Sequence, residues 1–281
     1  MYSYSILAAV AATFISTASA IACESISGFT PVWQENFDGS SVDTTTWQYI
    51  SGSGPNGEVE NYQDYTAAGG GPACGVSNGL FSITPQNNGG QWTSCRIETR
   101  NGWTAAPGKI TIVQSRLKLG QAGVPLQGIW PAFWSLGMAM RNGVSWPTCG
   151  EIDTFENIDG GALGHGTLHC GTACNDDTGL TSAITFDYGS FHTWAHAIDL
   201  TESDWTAQSI TWYMDGQEYQ VLHGSDVGNE AAWAATAQAE MFFVINVAIG
   251  GQDSWPGSVA GNTAKGAASG MEVQYVAVYE N

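Results

Sequence analysis

The chain has 281 residues, 43% of them hydrophobic and 12% charged, which is enough apolar material for a sizeable core and too much for wholesale disorder. Twenty-six acidic residues stand against seven basic ones, a formal net charge of −19, so a polyanion such as DNA or an anionic membrane surface would be repelled. A neutral partner is fully compatible with that field, and so is the simpler role of solubility in an acidic exterior.

In chain order, SYSILAAVAATFISTASA is a short apolar run closed by the small residues Ala18, Ser19 and Ala20, the pattern of a secretory leader cleaved after Ala20, although no Lys or Arg precedes it. The expected division is therefore a signal peptide over 1–20 and a single secreted, extracellular domain over 21–281. No later run approaches the ~18 consecutive apolar residues of a membrane span. All six cysteines (Cys23, Cys74, Cys95, Cys149, Cys170, Cys174) follow the cut. In an oxidising compartment they predict three disulfides, with Cys170 and Cys174 the one close pair; no second pair with ligand spacing supports a zinc site.

Beyond the leader, turn clusters recur: SGSGPNG (51–57), AAGGGP (67–72), NNGG (87–90) and NDDTG (175–179). Between them lie the short β-branched and aromatic runs GLFSIT, KITIVQSRLKL, IWPAFWSL, EIDTFEN, SITWYMDG, MFFVINVAI and MEVQYVAVY. In KITIVQSRLKL, Ile110 and Ile112 share one face while Lys109, Thr111, Val113 and Ser115 share the other, the mark of a half-buried strand. One run, NEAAWAATAQAE (229–240), predicts a helix of about two to three turns. Many strands without intervening helices predict an all-β antiparallel sandwich or barrel.

The stretch WPTCGEIDTFEN (146–157) concentrates acids in a chain that has few charges. Glu151 and Asp153 share a face of a strand, ~6.6 Å apart along the backbone, whereas Glu156 has the wrong parity. A one-residue bulge between Asp153 and Glu156 would bring all three to one face. Carboxylates that close repel, so at least one would hold a proton near neutrality. One ionised and one protonated carboxyl are what glycosidic-bond cleavage requires. The alternative is a solvated acidic edge, with or without a cation. Trp130, Phe133, Trp134, Trp146 and Phe155 flank the acids, and indole faces stack on the apolar faces of sugar rings.

GIWPAFWSLG (128–137) followed by WPTCGEIDTFEN resembles the signature of glycoside hydrolase family 16, the laminarinase and lichenase group. In the family's order stand VWQENFDG, NGEVENY (56–62), SCRIETR (94–100), GTLHC (166–170), FHTWAHAIDL (191–200), FFVINVAIGG (242–251) and WPG (255–257). The resemblance implies a concanavalin-type β-jelly-roll sandwich of two antiparallel sheets, with a substrate cleft on the concave face. It implies an endo-1,3(4)-β-glucanase that works by retention, in which Glu151 is the nucleophile, Glu156 the acid/base and Asp153 a hydrogen-bonding assistant to Glu151. Arg96, Trp130, Trp134, Trp146, His169 and Trp255 would bind substrate, with His169 polarising Asp153 or Glu156. His192 and His196 read as structural. Cys95 before Arg96 and Cys149 before Gly150 depart from the usual pattern and imply a disulfide framing the cleft.

The implied partner is a β-glucan, with no nucleic acid, no membrane and a monomeric chain. No cofactor is required; a structural calcium, as in some members, is left open around ENFDG (35–39), where no calcium-loop spacing is present. Two other functions fit the same fold. A cell-wall glucan transglycosylase would use the same residues, and a glucan-binding lectin would have lost one or both glutamates, which stand here. Hydrolysis of sulfated galactans would favour a basic cleft, against which seven Lys and Arg in total argue.

Overall fold

The alternating apolar runs and glycine-rich turns fold into strands in a computed structural model of the chain, which describes residues 22–65 and 71–281. The expected leader, 1–20, and the domain's first residue lie outside the described residues. In chain order the strands are β1 (Thr30–Glu35), β2 (Trp47–Tyr49), β3 (Glu60–Tyr62), β4 (Cys74–Ser77), β5 (Leu80–Ile83), β6 (Gln86–Asn88), β7 (Gln91–Ser94), β8 (Arg96–Thr99) and β9 (Ile110–Leu119). They continue as β10 (Ile129–Gly137), β11 (Glu151–Glu156), β12 (Leu163–His169), β13 (Leu180–Thr185), β14 (His192–Asp199), β15 (Ser209–Met214), β16 (Gln217–His223), β17 (Met241–Ile249) and β18 (Met271–Glu280). Every run read as a strand is one.

Two large antiparallel sheets stack as a sandwich. The first runs β16-β15-β14-β9-β18-β5-β4, with β1 also on β18, and the second runs β13-β12-β11-β10-β17-β8-β2. A small third sheet, β3-β7-β6, contains the parallel pair β3 and β7, which the expectation of two purely antiparallel sheets did not include. The layers are joined by large apolar side chains. Phe155 of β11 meets Trp194 of β14 with ring centroids 4.4 Å apart, and Phe133, Ile245, Val113 and Leu117 pack into the same core. Each such side chain contributes about 1.5–3 kcal/mol on burial, so the interlayer contact is the main source of stability.

In β9 the inward face carries Val113, Leu117 and Leu119. Ile112 lies on the opposite face with Tyr275 and Tyr279, where Ile26 and Phe29 of the N-terminal segment cover it. The alanine-rich run becomes α2 (Glu230–Ala237), preceded by the single turn α1 (Gly224–Val227). Asn229 caps α2 by accepting the Ala232 N–H at 3.0 Å, and Trp233 anchors the helix by donating to Gln208 Oε1 at 2.9 Å.

The cysteines form two disulfides, Cys74–Cys95 and Cys170–Cys174, rather than the three expected. Cys23 packs on the outer face of the first sheet beside Tyr275 and Tyr279, while Cys149 is buried beside Leu136, Phe242 and Val244 of the second. A disulfide needs Cα atoms within about 7 Å, and the sandwich stands between these two. Cys95 is bridged to Cys74 within the core between the sheets, and Cys149 keeps a free thiol.

Candidate active site

The break in parity noted at EIDTFEN is a bulge in β11. Asp153 pairs with Trp134 of β10 and Phe155 with Phe133, so Thr154 has no partner on that side. On the other side Asp153 pairs with Thr167 of β12 and Glu156 with His165, so Thr154 and Phe155 together face Gly166. Only glycine fits there: a Cβ would lie 2.5 Å from both Trp212 Cδ1 and Tyr219 Oη. The bulge turns Ile152, Thr154 and Phe155 into the sandwich and puts Glu151, Asp153 and Glu156 on the opposite, concave face.

The bulge is held from the far sheet. Thr154 Oγ1 lies 2.8 Å from His196 Nδ1, and Trp212 donates its indole N–H to the Asp153 carbonyl at 2.7 Å. His196 and Trp212 are cross-strand partners in β14 and β15. His196 is therefore a structural histidine, as read; burial pushes its pKa down to about 3. His192 is also occupied, by Asp215 Oδ2 at 2.6 Å.

On the concave face each glutamate accepts one indole N–H. Trp146 donates to Glu151 Oε2 at 3.2 Å and Trp130 to Glu156 Oε1 at 2.8 Å. His169 Nε2 stands 3.3 Å from Asp153 Oδ2 and 3.8 Å from Glu151 Oε1, which places it with those two rather than at Glu156. Trp146 is 36% and Trp255 48% exposed, flat apolar faces open to a ligand on either side of the acids. Trp255 meets Trp130 edge-on at 5.7 Å and His165 at 5.1 Å, so both of these flank Glu156.

Arg96, read as a donor to substrate, is braced by an acid beside it. Its Nη2 and Nε reach Glu98 Oε1 at 2.7 and 3.0 Å, and its guanidinium lies 4.9 Å from the Trp134 ring. Arg141 holds the other Glu98 oxygen at 3.0 Å. Trp134 donates to Asn246 Oδ1 at 2.7 Å, and Asn246 Nδ2 donates to Tyr62 Oη at 3.1 Å. His165, Glu98, Arg141, Asn246 and Tyr62 were not singled out in the sequence. The period-2 pattern of FFVINVAIGG could have pointed to Asn246, a lone amide in an otherwise apolar strand.

All three acids are buried and all three carboxyls are raised. Burial is the main cause at each, taking Asp153 and Glu156 up to about 8 and raising Glu151 well above the usual carboxylate range. The Asp153 charge adds to the rise at Glu151 and Glu156. At Glu151 the nearby His169 and Arg96 oppose the rise; at Glu156 the Trp130 N–H and His169 do. Three acids in one water-poor site cannot all ionise near neutrality, so the cluster titrates as a unit and retains protons. Among the described residues, the group of side chains with metal-ligand geometry is Glu151, Asp153 and His169, with atoms within 4.8 Å of one another, and these belong to the same site.

A scan of the chain against family descriptions matches residues 47–206 to the XgeA-like, catalytic GH16 domain. The chain belongs to glycoside hydrolase family 16. The crystal structure of an endo-1,3-β-glucanase from Streptomyces sioyaensis is 32% identical with a TM-score of 0.82, covering 92% of this chain and 99% of that one. A mutant of a non-specific endo-β-1,3(4)-glucanase of the family, co-crystallised with 1,3-β-D-cellobiosyl-cellobiose and presenting a 1,3-β-D-cellobiosyl-glucose at its active site, is 26% identical with a TM-score of 0.70, covering 94% and 98%. Among curated proteins, glucan endo-1,3-beta-glucosidase A1 of Niallia circulans is 25% identical over 91% of this chain. The chain spans 38% of that relative's length. The family's jelly-roll architecture is the one described above, and no helix among the described residues is long and apolar enough to cross a membrane.

Proposed function

We propose that the protein is a secreted endo-acting β-glucan hydrolase that cleaves internal bonds of β-1,3- and mixed β-1,3/1,4-glucans with retention of configuration. The observation that carries this reading is the convergence of Glu151, Asp153 and Glu156 on one face through the Thr154 bulge, between two exposed tryptophans. The solved glucanases of the same family, whose chains this one covers almost completely, support the substrate class.

In this mechanism Glu156 holds the proton that burial retains and delivers it to the glycosidic oxygen as the bond to the anomeric carbon breaks. Glu151 Oε attacks that carbon and forms a glycosyl ester. Glu156, now a carboxylate, takes a proton from water as the water oxygen displaces Glu151, which restores both groups. His169 and Arg96 favour the charge at Glu151, and Asp153 beside it sets how the cluster's protons are distributed. Trp146 and Trp255 provide stacking surfaces for neighbouring sugars. The two disulfides suit an extracellular setting.

The test is a set of time courses on laminarin, barley mixed-linkage glucan and lichenan, with the anomer of the first product read by NMR. Rapid loss of viscosity ahead of reducing ends, with a β-anomer first, is expected. Absence of cleavage on all three would overturn the reading, and transfer of the cut glucan onto an added labelled oligosaccharide in place of water would assign transglycosylation instead.

A further inference from the structure

We propose that the loop closed by Cys170 and Cys174 is a positioning device for His169, and through His169 for Asp153 and Glu151. The proposal rests on the reading of these acids as the reactive cluster. Cys170 directly follows His169, the last residue of β12, and its bond to Cys174 closes a five-residue ring beside the histidine. Inside that ring the Gly171 carbonyl accepts two N–H groups, from Cys174 at 2.8 Å and from Asp176 at 3.0 Å. Thr172 Oγ1 adds a bond to Asp176 Oδ1 at 3.0 Å. Asp176 is thus fixed at its N–H and at its carboxylate, and its own carbonyl oxygen stands 3.5 Å from His169 Nδ1.

That contact aims the ring. With Nδ1 facing a carbonyl, which can only accept, Nδ1 carries a hydrogen and Nε2 is the nitrogen turned toward the acids. Nε2 meets Asp153 Oδ2 at 3.3 Å, and this oxygen is buried with no conventional hydrogen-bond partner. Rotation or retreat of the ring would leave that oxygen further from its one nearby proton-sharing neighbour. The loop also bounds the ring sterically. Gly179 has φ +69°, and a Cβ there would lie 2.5 Å from Thr167 Cγ2, 2.9 Å from His169 Cε1 and 3.0 Å from Nδ1. Trp146 closes another side, 5.4 Å away.

The loop does not hold this shape through intrinsic preference. Asn175 and Asp176 are consecutive non-glycine residues at φ 59° and 51°, in the left-handed region that costs roughly 1–3 kcal/mol for each such residue. The cross-link ends one residue before this pair and removes open forms of the adjoining loop from competition.

The experiment is a double-mutant cycle on the full chain, assayed on laminarin well below the melting temperature. The Cys170→Ala/Cys174→Ala variant is expected to lose about tenfold in kcat with KM changed less than about twofold, since small misplacement of reacting groups costs rate before it costs binding. In a His169→Ala background the same cysteine changes are expected to cost nothing further. Gly179→Ala, which keeps the disulfide but crowds the ring and Thr167 beside it, should show a kcat loss that shrinks in that background; it keeps the question open to answer if the cysteine variant fails to fold. Equal losses with and without His169, or a lower Tm with unchanged kcat, would overturn the proposal. So would a His169→Ala enzyme with full kcat, while inactivity of Glu151→Gln would leave the hydrolase reading standing.

Discussion

Glu151 and Glu156 are the same residue type on the same strand face, both buried, each accepting one indole N–H, yet their surroundings differ. Around Glu151 lie Arg96, His169, Asp153 and the tryptophan that covers the histidine, a closely braced pocket of mixed charge. Around Glu156 lie Trp130, Trp255 and His165, an aromatic rim open to solvent at Trp255. Burial raises both carboxyls; what differs is what opposes the rise, His169 and Arg96 at Glu151 and the Trp130 N–H with His169 at Glu156.

The strongest test of that contrast is Glu151→Gln, expected to lower kcat by about 10³-fold or more while glucan affinity measured by calorimetry stays intact. Retained turnover would show that the charged role belongs elsewhere. Next comes Glu156→Ala, expected to cost about 10²–10⁴-fold on natural glucans and far less on aryl glycosides whose leaving group needs no proton. The wild-type rate should fall as pH rises through about 8, where Glu156 loses its proton, and that alkaline limb should vanish in the variant on the aryl substrate. If leaving-group dependence appeared at Glu151 instead, the two roles would be exchanged.

A smaller effect is expected for Asp153→Asn, a loss of about 10–100-fold in kcat with modest change in KM. The same variant reads the cost of the cluster to the fold. A carboxyl raised to about 8 keeps a proton that the unfolded chain releases near its ordinary value, so folded stability declines as pH rises from about 4 to 8. Removing the acid should therefore raise Tm at pH 8 and leave it unchanged at pH 4; a gain of equal size at both would contradict the buried, proton-holding site. Smallest is Thr154→Val, which leaves His196 Nδ1 unpaired and should cost about 1–3 kcal/mol in urea unfolding, with a partial loss of rate because the bulge loosens.

The features legible in the sequence are those set by neighbours along the chain. Alternation predicted the strands, the alanine-rich run predicted α2, and the misplaced Glu156 predicted the bulge. What escaped depends on residues brought together from afar. The Glu98 carboxylate shared by Arg96 and Arg141 joins residues more than forty positions apart. The Trp134 partner, Asn246, lies more than a hundred residues away, and the two clamps on the bulge, His196 and Trp212, come from the other sheet. The third disulfide failed for the same reason, since counting cysteines says nothing of which side of a sandwich each occupies.

The extra residue in β11 separates distance along the chain from distance in space. Five positions from Glu151 to Glu156 fill the span of four in an unbulged ribbon, where an E-x-D-x-E spelling would already keep its acids together. The surplus position supplies an inward hydroxyl that ties the reactive strand to the opposite layer. Deleting that position would restore the unbulged spacing and keep the carboxyls on one face, at the loss of this tie to the far sheet.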